Sequence, residues 1–132
     1  MNEYFYGLAK VSAEIAGEPI KAEWIYSQWA HETNEFASDL TEEYHNLGGL
    51  TQVEPNDTPQ PDGSCYYMQF GSYEDYADYF GKYLQYYRDN GIFDAQSIDD
   101  YITALKNGDY FGDTLENYLS DVKNILMTTF GR

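Results

Sequence analysis

The sequence predicts an α+β fold, mostly helical, with one small β-lobe inserted after the second helix. Three observations carry that expectation. Apolar residues recur at helical spacing over five stretches, most of them bounded by recognisable start and stop residues. Between the second and third stretches, residues 46–71 hold three of the four prolines, the Gly48-Gly49 pair and an Asp62-Gly63 turn signal. That turn signal precedes the β-favouring run Cys65-Tyr66-Tyr67-Met68-Gln69-Phe70. Finally, a 42% hydrophobic content over 132 residues suffices to bury one core.

The first helix is expected near residues 4–16, with Tyr4, Leu8, Val11 and Ile15 as its stripe and Gly17 as its stop. Glu18-Pro19 restarts the chain, since proline is tolerated in a first helical turn, and the second helix runs to about Asn34. Its informative face holds Ala22, Ile25, Trp29 and Glu32. After the β-lobe (about 46–71, two or three short strands), Ser72 with Asp75 resembles a capping box. It starts a helix to about Asn90, with Gly91 as stop and Tyr73, Tyr76, Ala77, Phe80, Leu84 and Tyr87 on the apolar side. Ser97 with Asp100 starts a further helix ending at Gly108, and Asp113 with Glu116 the last one. No repeat, low-complexity tract or linker interrupts the chain, so residues 1–132 read as a single domain.

Composition excludes several functions. Seven Lys+Arg against 23 Asp+Glu leave a net charge of −16, which repels nucleic acid. No apolar run approaches the ~18–20 residues of a membrane span. The start Met1-Asn2-Glu3-Tyr4 lacks the basic and apolar regions of a signal peptide. The single Cys65 allows neither an internal disulfide nor a multi-cysteine zinc site, and it reads as a strand-packing residue. His31 and His45 lack ligand spacing, so neither metal nor cofactor is expected. Aromatic content of 18%, with 15 Tyr against 7 Phe, excludes disorder. Phenols in that number finish a core or line a polar cleft.

Ile25, Trp29 and Glu32 fall within about 60° of one another on a helical wheel. Glu32 therefore projects from the apolar side near a helix C-terminus, where desolvation and the helix dipole both raise a carboxyl pKa. A carboxylic acid kept protonated near neutrality is what a general acid needs. The bland alternative is a helix that ends one turn early and leaves Glu32 in solvent.

Four motifs surround this residue in order. They are Gln28-Trp29-Ala30-His31-Glu32-Thr33-Asn34, then Tyr44-His45-Asn46-Leu47-Gly48-Gly49-Leu50, then Phe70-x-Ser72-Tyr73-Glu74-Asp75-Tyr76, and Gly108-Asp109-Tyr110-Phe111-x-Asp113 with Tyr118. Together they resemble the glucosaminidase family of peptidoglycan hydrolases (glycoside hydrolase family 73, mannosyl-glycoprotein endo-beta-N-acetylglucosaminidase-like). The resemblance implies a lysozyme-like fold and cleavage of the β-1,4 bond after N-acetylglucosamine in peptidoglycan. It places Glu32 as the acid and Tyr110 beside the cleft, where it would orient the acetamido group or support positive charge at the anomeric carbon. Thr33 and Asn34 stand where the family has Ser and Gly, and the stretch between Tyr110 and Tyr118 is longer than the family pattern.

Many members carry a second Glu in the β-lobe, and here Glu54 is the choice for a water-activating base, with a solvated loop residue as its alternative. Asp57 and Asp62 are the other carboxylates of that lobe. If no carboxylate faces Glu32, the acetamido group of the substrate could assist instead. Candidate substrate-binding residues are Asn46, Tyr66, Tyr67, Tyr118 and Trp29, with one of the two strand tyrosines expected to face the cleft. Rival readings are a muramidase or lytic transglycosylase on the same fold, and a non-catalytic glycan-binding or assembly module. A peptidoglycan substrate with no signal peptide leads to the expectation of a domain of a larger secreted or phage-virion protein, acting outside the cell or in the cell wall.

Overall fold

The computed structural model describes residues 1–52 and 66–132. Glu54, Asp57, Asp62, Gly63 and Cys65 lie outside the described residues. Helix α1 (Glu3–Ala16) is capped by Asn2, whose side chain accepts the Phe5 N–H at 3.1 Å. Its buried face is Phe5, Leu8, Ala9 and Ser12, whereas Tyr4, Val11 and Ile15 of the expected stripe are exposed. The neighbour that α1 packs on explains the rotation. The helix carrying Gly81 comes so close that a Cβ there would sit 2.7 Å from the Ser12 carbonyl oxygen. The Ser12 hydroxyl donates to the Ala77 carbonyl at 2.7 Å across the same contact. Only a glycine fits opposite Ser12 and the Ile15 side chain in that seam, whose closeness sets the face that α1 buries, while Tyr4 and Val11 turn outward.

Helix α2 (Ala22–Glu32) begins three residues beyond Pro19, which follows a cis peptide bond. Trp24 through Ala30 are all buried, so α2 is enclosed all round instead of on one stripe. Thr33 closes it by directing both its N–H (3.0 Å) and its hydroxyl (2.7 Å) to the Trp29 carbonyl. Asn34, Glu35 and Phe36 then take φ values of 51°, 60° and 63°, a run of left-handed residues that reverses the chain. Asn34 is among the residue types that tolerate a left-handed position.

A short helix, α3 (Asp39–Tyr44), precedes the β-lobe. Six residues are too few to reveal a helical period in sequence. Strands β1 (Thr51–Gln52) and β2 (Tyr66–Tyr67) pair antiparallel, Thr51 opposite Tyr67 and Gln52 opposite Tyr66.

Helix α4 (Tyr73–Tyr83) starts at Ser72, whose hydroxyl accepts the Asp75 N–H. The helix expected to reach Asn90 tightens into a 3-10 turn over Leu84–Asn90, ends at left-handed Gly91, and is followed by a second 3-10 turn, Ile92–Asp94. Helix α5 (Ile98–Asn107) is capped by Ser97. Helix α6 (Leu115–Phe130) is capped by Thr114 and not by Asp113, whose carboxylate accepts the Thr114 N–H at 2.7 Å. Helix α2 lies between α1 and α6, with α4 against α1 and α5 against α6. Trp29, Tyr76, Phe80, Tyr101 and Ile102 fill the centre. Among the described residues no helix is long and apolar enough to cross a membrane.

Candidate active site

Because α2 is anchored along its whole length, its last residue is aimed by the core. Glu32 is half-buried and opens on a cleft of about 250 Å³, lined also by Gly48, Gly49, Tyr67, Tyr110, Phe111 and Gly112. The Tyr118 hydroxyl donates to Glu32 Oε1 at 2.7 Å. Phe111 stacks flat on the Tyr118 ring, 3.7 Å between centroids and 6° between planes, and His31 meets that ring edge-on at 4.6 Å. Burial raises the Glu32 pKa above the ordinary carboxylate value, while the Tyr118 hydrogen bond and the His31 charge pull it partly back.

The opposite wall is a backbone turn without side chains. A Cβ on Gly48 would lie 2.5 Å from the Tyr76 hydroxyl and 2.6 Å from that of Tyr110, and Tyr110 donates to the Gly48 carbonyl at 2.6 Å. Gly49 adopts φ +67°, and a Cβ there would stand 3.2 Å from Glu32 Oε2. Two glycines therefore let the turn approach the carboxyl. Asn46 holds this turn from beneath. Fully buried, it donates to the Leu50 and Met68 carbonyls, both at 2.9 Å, and accepts the Leu50 N–H at 3.0 Å. It thereby ties the turn to the residue following β2.

The structure brings Glu32, Tyr110 and Tyr67 together around one cleft, whereas Tyr118, expected to bind substrate, is buried behind it and spends its hydroxyl on Glu32. Tyr66 is half-buried in β2, and Trp29 is fully buried against Tyr76 and Phe80 beneath the site. The amide of Asn46 is occupied by backbone groups. Glu54 lies outside the described residues. His31 and His45 do not converge: His45 Nδ1 donates to the Phe70 carbonyl at 2.8 Å and its ring faces Tyr73. Among the described residues no three of His, Cys, Asp or Glu gather as a metal site. Phe111, Gly49 and Gln28 were not singled out as site residues from sequence. Gln28 is buried and accepts the Tyr101 hydroxyl at 2.7 Å in the packing beneath Glu32. Its place one helical turn before Glu32 was the signal available for it.

The helical domain and its two-stranded lobe thus meet at a cleft that holds one half-buried carboxyl. The family model described as Glucosaminidase, mannosyl-glycoprotein endo-beta-N-acetylglucosaminidase, matches residues 9–129, and the chain belongs to that family. In structure it is similar to the catalytic domain of the autolysin Auto from Listeria monocytogenes. The TM-score is 0.66 at 16% sequence identity, over 98% of this chain and 84% of that one, a likeness of fold. No curated protein sequence matches the chain.

Proposed function

We propose that this chain hydrolyses peptidoglycan at the β-1,4 bond after N-acetylglucosamine, with Glu32 as the general acid. The observation that carries the reading is the half-buried Glu32 carboxyl, raised in pKa and, among the described residues, hydrogen-bonded by Tyr118 at Oε1. Since Tyr118 donates to Oε1, the acidic proton belongs on Oε2, the oxygen beside Gly49. From there it passes to the leaving glycosidic oxygen as the bond breaks. Burial holds the Tyr110 phenol well above its ordinary pKa, so it stays neutral. With its proton directed at the Gly48 carbonyl, its oxygen lone pairs are free to support positive charge at the anomeric carbon or to orient the acetamido group. Tyr67 and Phe111 flank the sugar. Asn46 and Trp29 serve the site from below by fixing the glycine turn and the end of α2.

Glu54 is the proposed water-activating base. A separation of about 6.5–9.5 Å from Glu32 gives inversion, and without a facing carboxylate the acetamido group of the substrate takes that part. The glycan substrate lies outside the membrane, so the domain acts in the cell wall or extracellularly, as part of a larger secreted or virion protein. Mass spectrometry of wall fragments tests the assignment. Wild type releases fragments with reducing-end N-acetylglucosamine, and Glu32→Gln releases none while retaining its fold. Anhydromuramic ends would overturn the bond assignment, and unchanged lysis by Glu32→Gln would overturn the role of Glu32.

A further inference from the structure

The outer edge of α4 and the 3-10 turn after it carry tyrosines that flank the core and keep part of their rings in solvent. Tyr79, Tyr83 and Tyr86 recur at i, i+4 and i+7, which places them on one side of a helix. Tyr79 and Tyr83 are half-buried, and Tyr86 is 75% exposed. The Tyr79 and Tyr83 rings lie 6.0 Å apart and nearly parallel, at 20°, and the Tyr86 ring follows at 5.2 Å from Tyr83. Two adjoining hollows of about 420 Å³ each share these three residues.

The second hollow leads toward the catalytic cleft. Its far rim includes Thr51 and Gly108. Thr51 is paired across the sheet with Tyr67, a wall of the cleft, and Gly108 stands two residues before Tyr110. The rings of Tyr83 and Tyr87 lie 6.2 Å and 6.0 Å from that of Tyr110. A row of phenols thus runs from the cleft outward along α4 beside the β-lobe. Charge is nearly absent from its recognition chemistry. Lys82, on the rim, is held by Asp78 at 2.8 Å.

We propose that Tyr79, Tyr83 and Tyr86 form a distal glycan-binding platform that carries the substrate strand beyond the bond being cleaved. The chemistry fits a sugar. A pyranose ring presents apolar C–H faces to an aromatic ring and hydroxyls at its rim to phenols and amides, here including Asn90. Continuity with the cleft selects the same strand as occupant, so the inference rests on the glycan-cleaving reading of Glu32.

The test uses peptide-free glycan oligomers of defined, increasing length. Binding is measured by calorimetry in the Glu32→Gln protein, and cleavage in the protein with Glu32 intact. Affinity and kcat/KM rise with length in the parent proteins. In Tyr86→Ala and Tyr79→Ala the ratio of long-strand to shortest-fragment values falls about fivefold to tenfold, the worth of one aromatic contact. The loss appears in KM and not in kcat, and Tyr86→Trp restores the ratio. An unchanged length dependence in both alanine variants overturns the platform while the cleavage reading stands. Oligomers that bind with the tyrosine-dependent length effect but are never cut overturn the cleavage reading and keep the platform. Absence of glycan binding overturns both.

Discussion

At Glu32 two opposed effects meet, and under the proposed function their balance sets the working pH of the site. Burial disfavours the carboxylate, whereas the Tyr118 hydroxyl and His31 favour it; the raised pKa means that burial prevails. Tyr118→Phe removes one of the two opposing groups, so the pKa rises further. A general acid works below its pKa and fails as pH climbs through it. The alkaline limb of the kcat/KM profile therefore moves to higher pH in Tyr118→Phe, and a limb that stays in place or moves down contradicts the role given to Tyr118. Much of this was legible in the sequence, because the helical phase of Ile25, Trp29 and Glu32 places the carboxyl on the apolar side. The Tyr118 contact was not, since 86 residues separate the partners and spacing says nothing about which phenol folds back. The same holds for Asn46, whose position within a motif reads as ligand contact but whose amide is consumed by three backbone groups.

At the scale of elements, local signals were the readable ones. Ser72 and Ser97 cap as their spacing indicates, because a cap depends on residues three positions apart. The α1 face was misread because the seam at Ser12 and Gly81 depends on a partner 65 or more residues away. The left-handed run after α2 is likewise invisible in residue type, Glu35 and Phe36 being poor candidates for positive φ. It is held by Phe36, which stacks on Phe5 at 4.5 Å and packs on Tyr26. Glu35 is exposed and adopts φ 60°, a conformation costing a non-glycine residue roughly 1–2 kcal/mol. Glu35→Gly therefore raises stability by about 0.5–1 kcal/mol once the entropy of glycine is subtracted. Glu14→Gly, on the exposed side of α1, lowers it by about 1 kcal/mol. Urea midpoints decide, and equal losses at both positions contradict the strain.

At the scale of the whole molecule, a net charge of −16 opposes approach to an anionic cell wall. Screening lengths shrink from ~30 Å at 0.01 M salt to ~8 Å at 0.15 M. Clearing of purified walls by this domain therefore accelerates over that range, and a rate that falls with salt means that attraction, not repulsion, governs the encounter. The enclosure of α2 bears on how such a protein diversifies. The Glu32 carboxyl hangs from a helix buried along most of its length, whereas Gly48, Gly49, Tyr67, Tyr110, Phe111 and Gly112 all sit on loops or a two-residue strand. Change at Tyr67 or Gly112 can thus reshape the cleft while the helix that holds the carboxyl stays fixed, whereas Gly48, Gly49 and Phe111 abut Glu32 or the phenols around it. Under the proposed function, the proton donor and the rim that meets the sugar thus belong to different elements of the chain, one rigid and one made of loops.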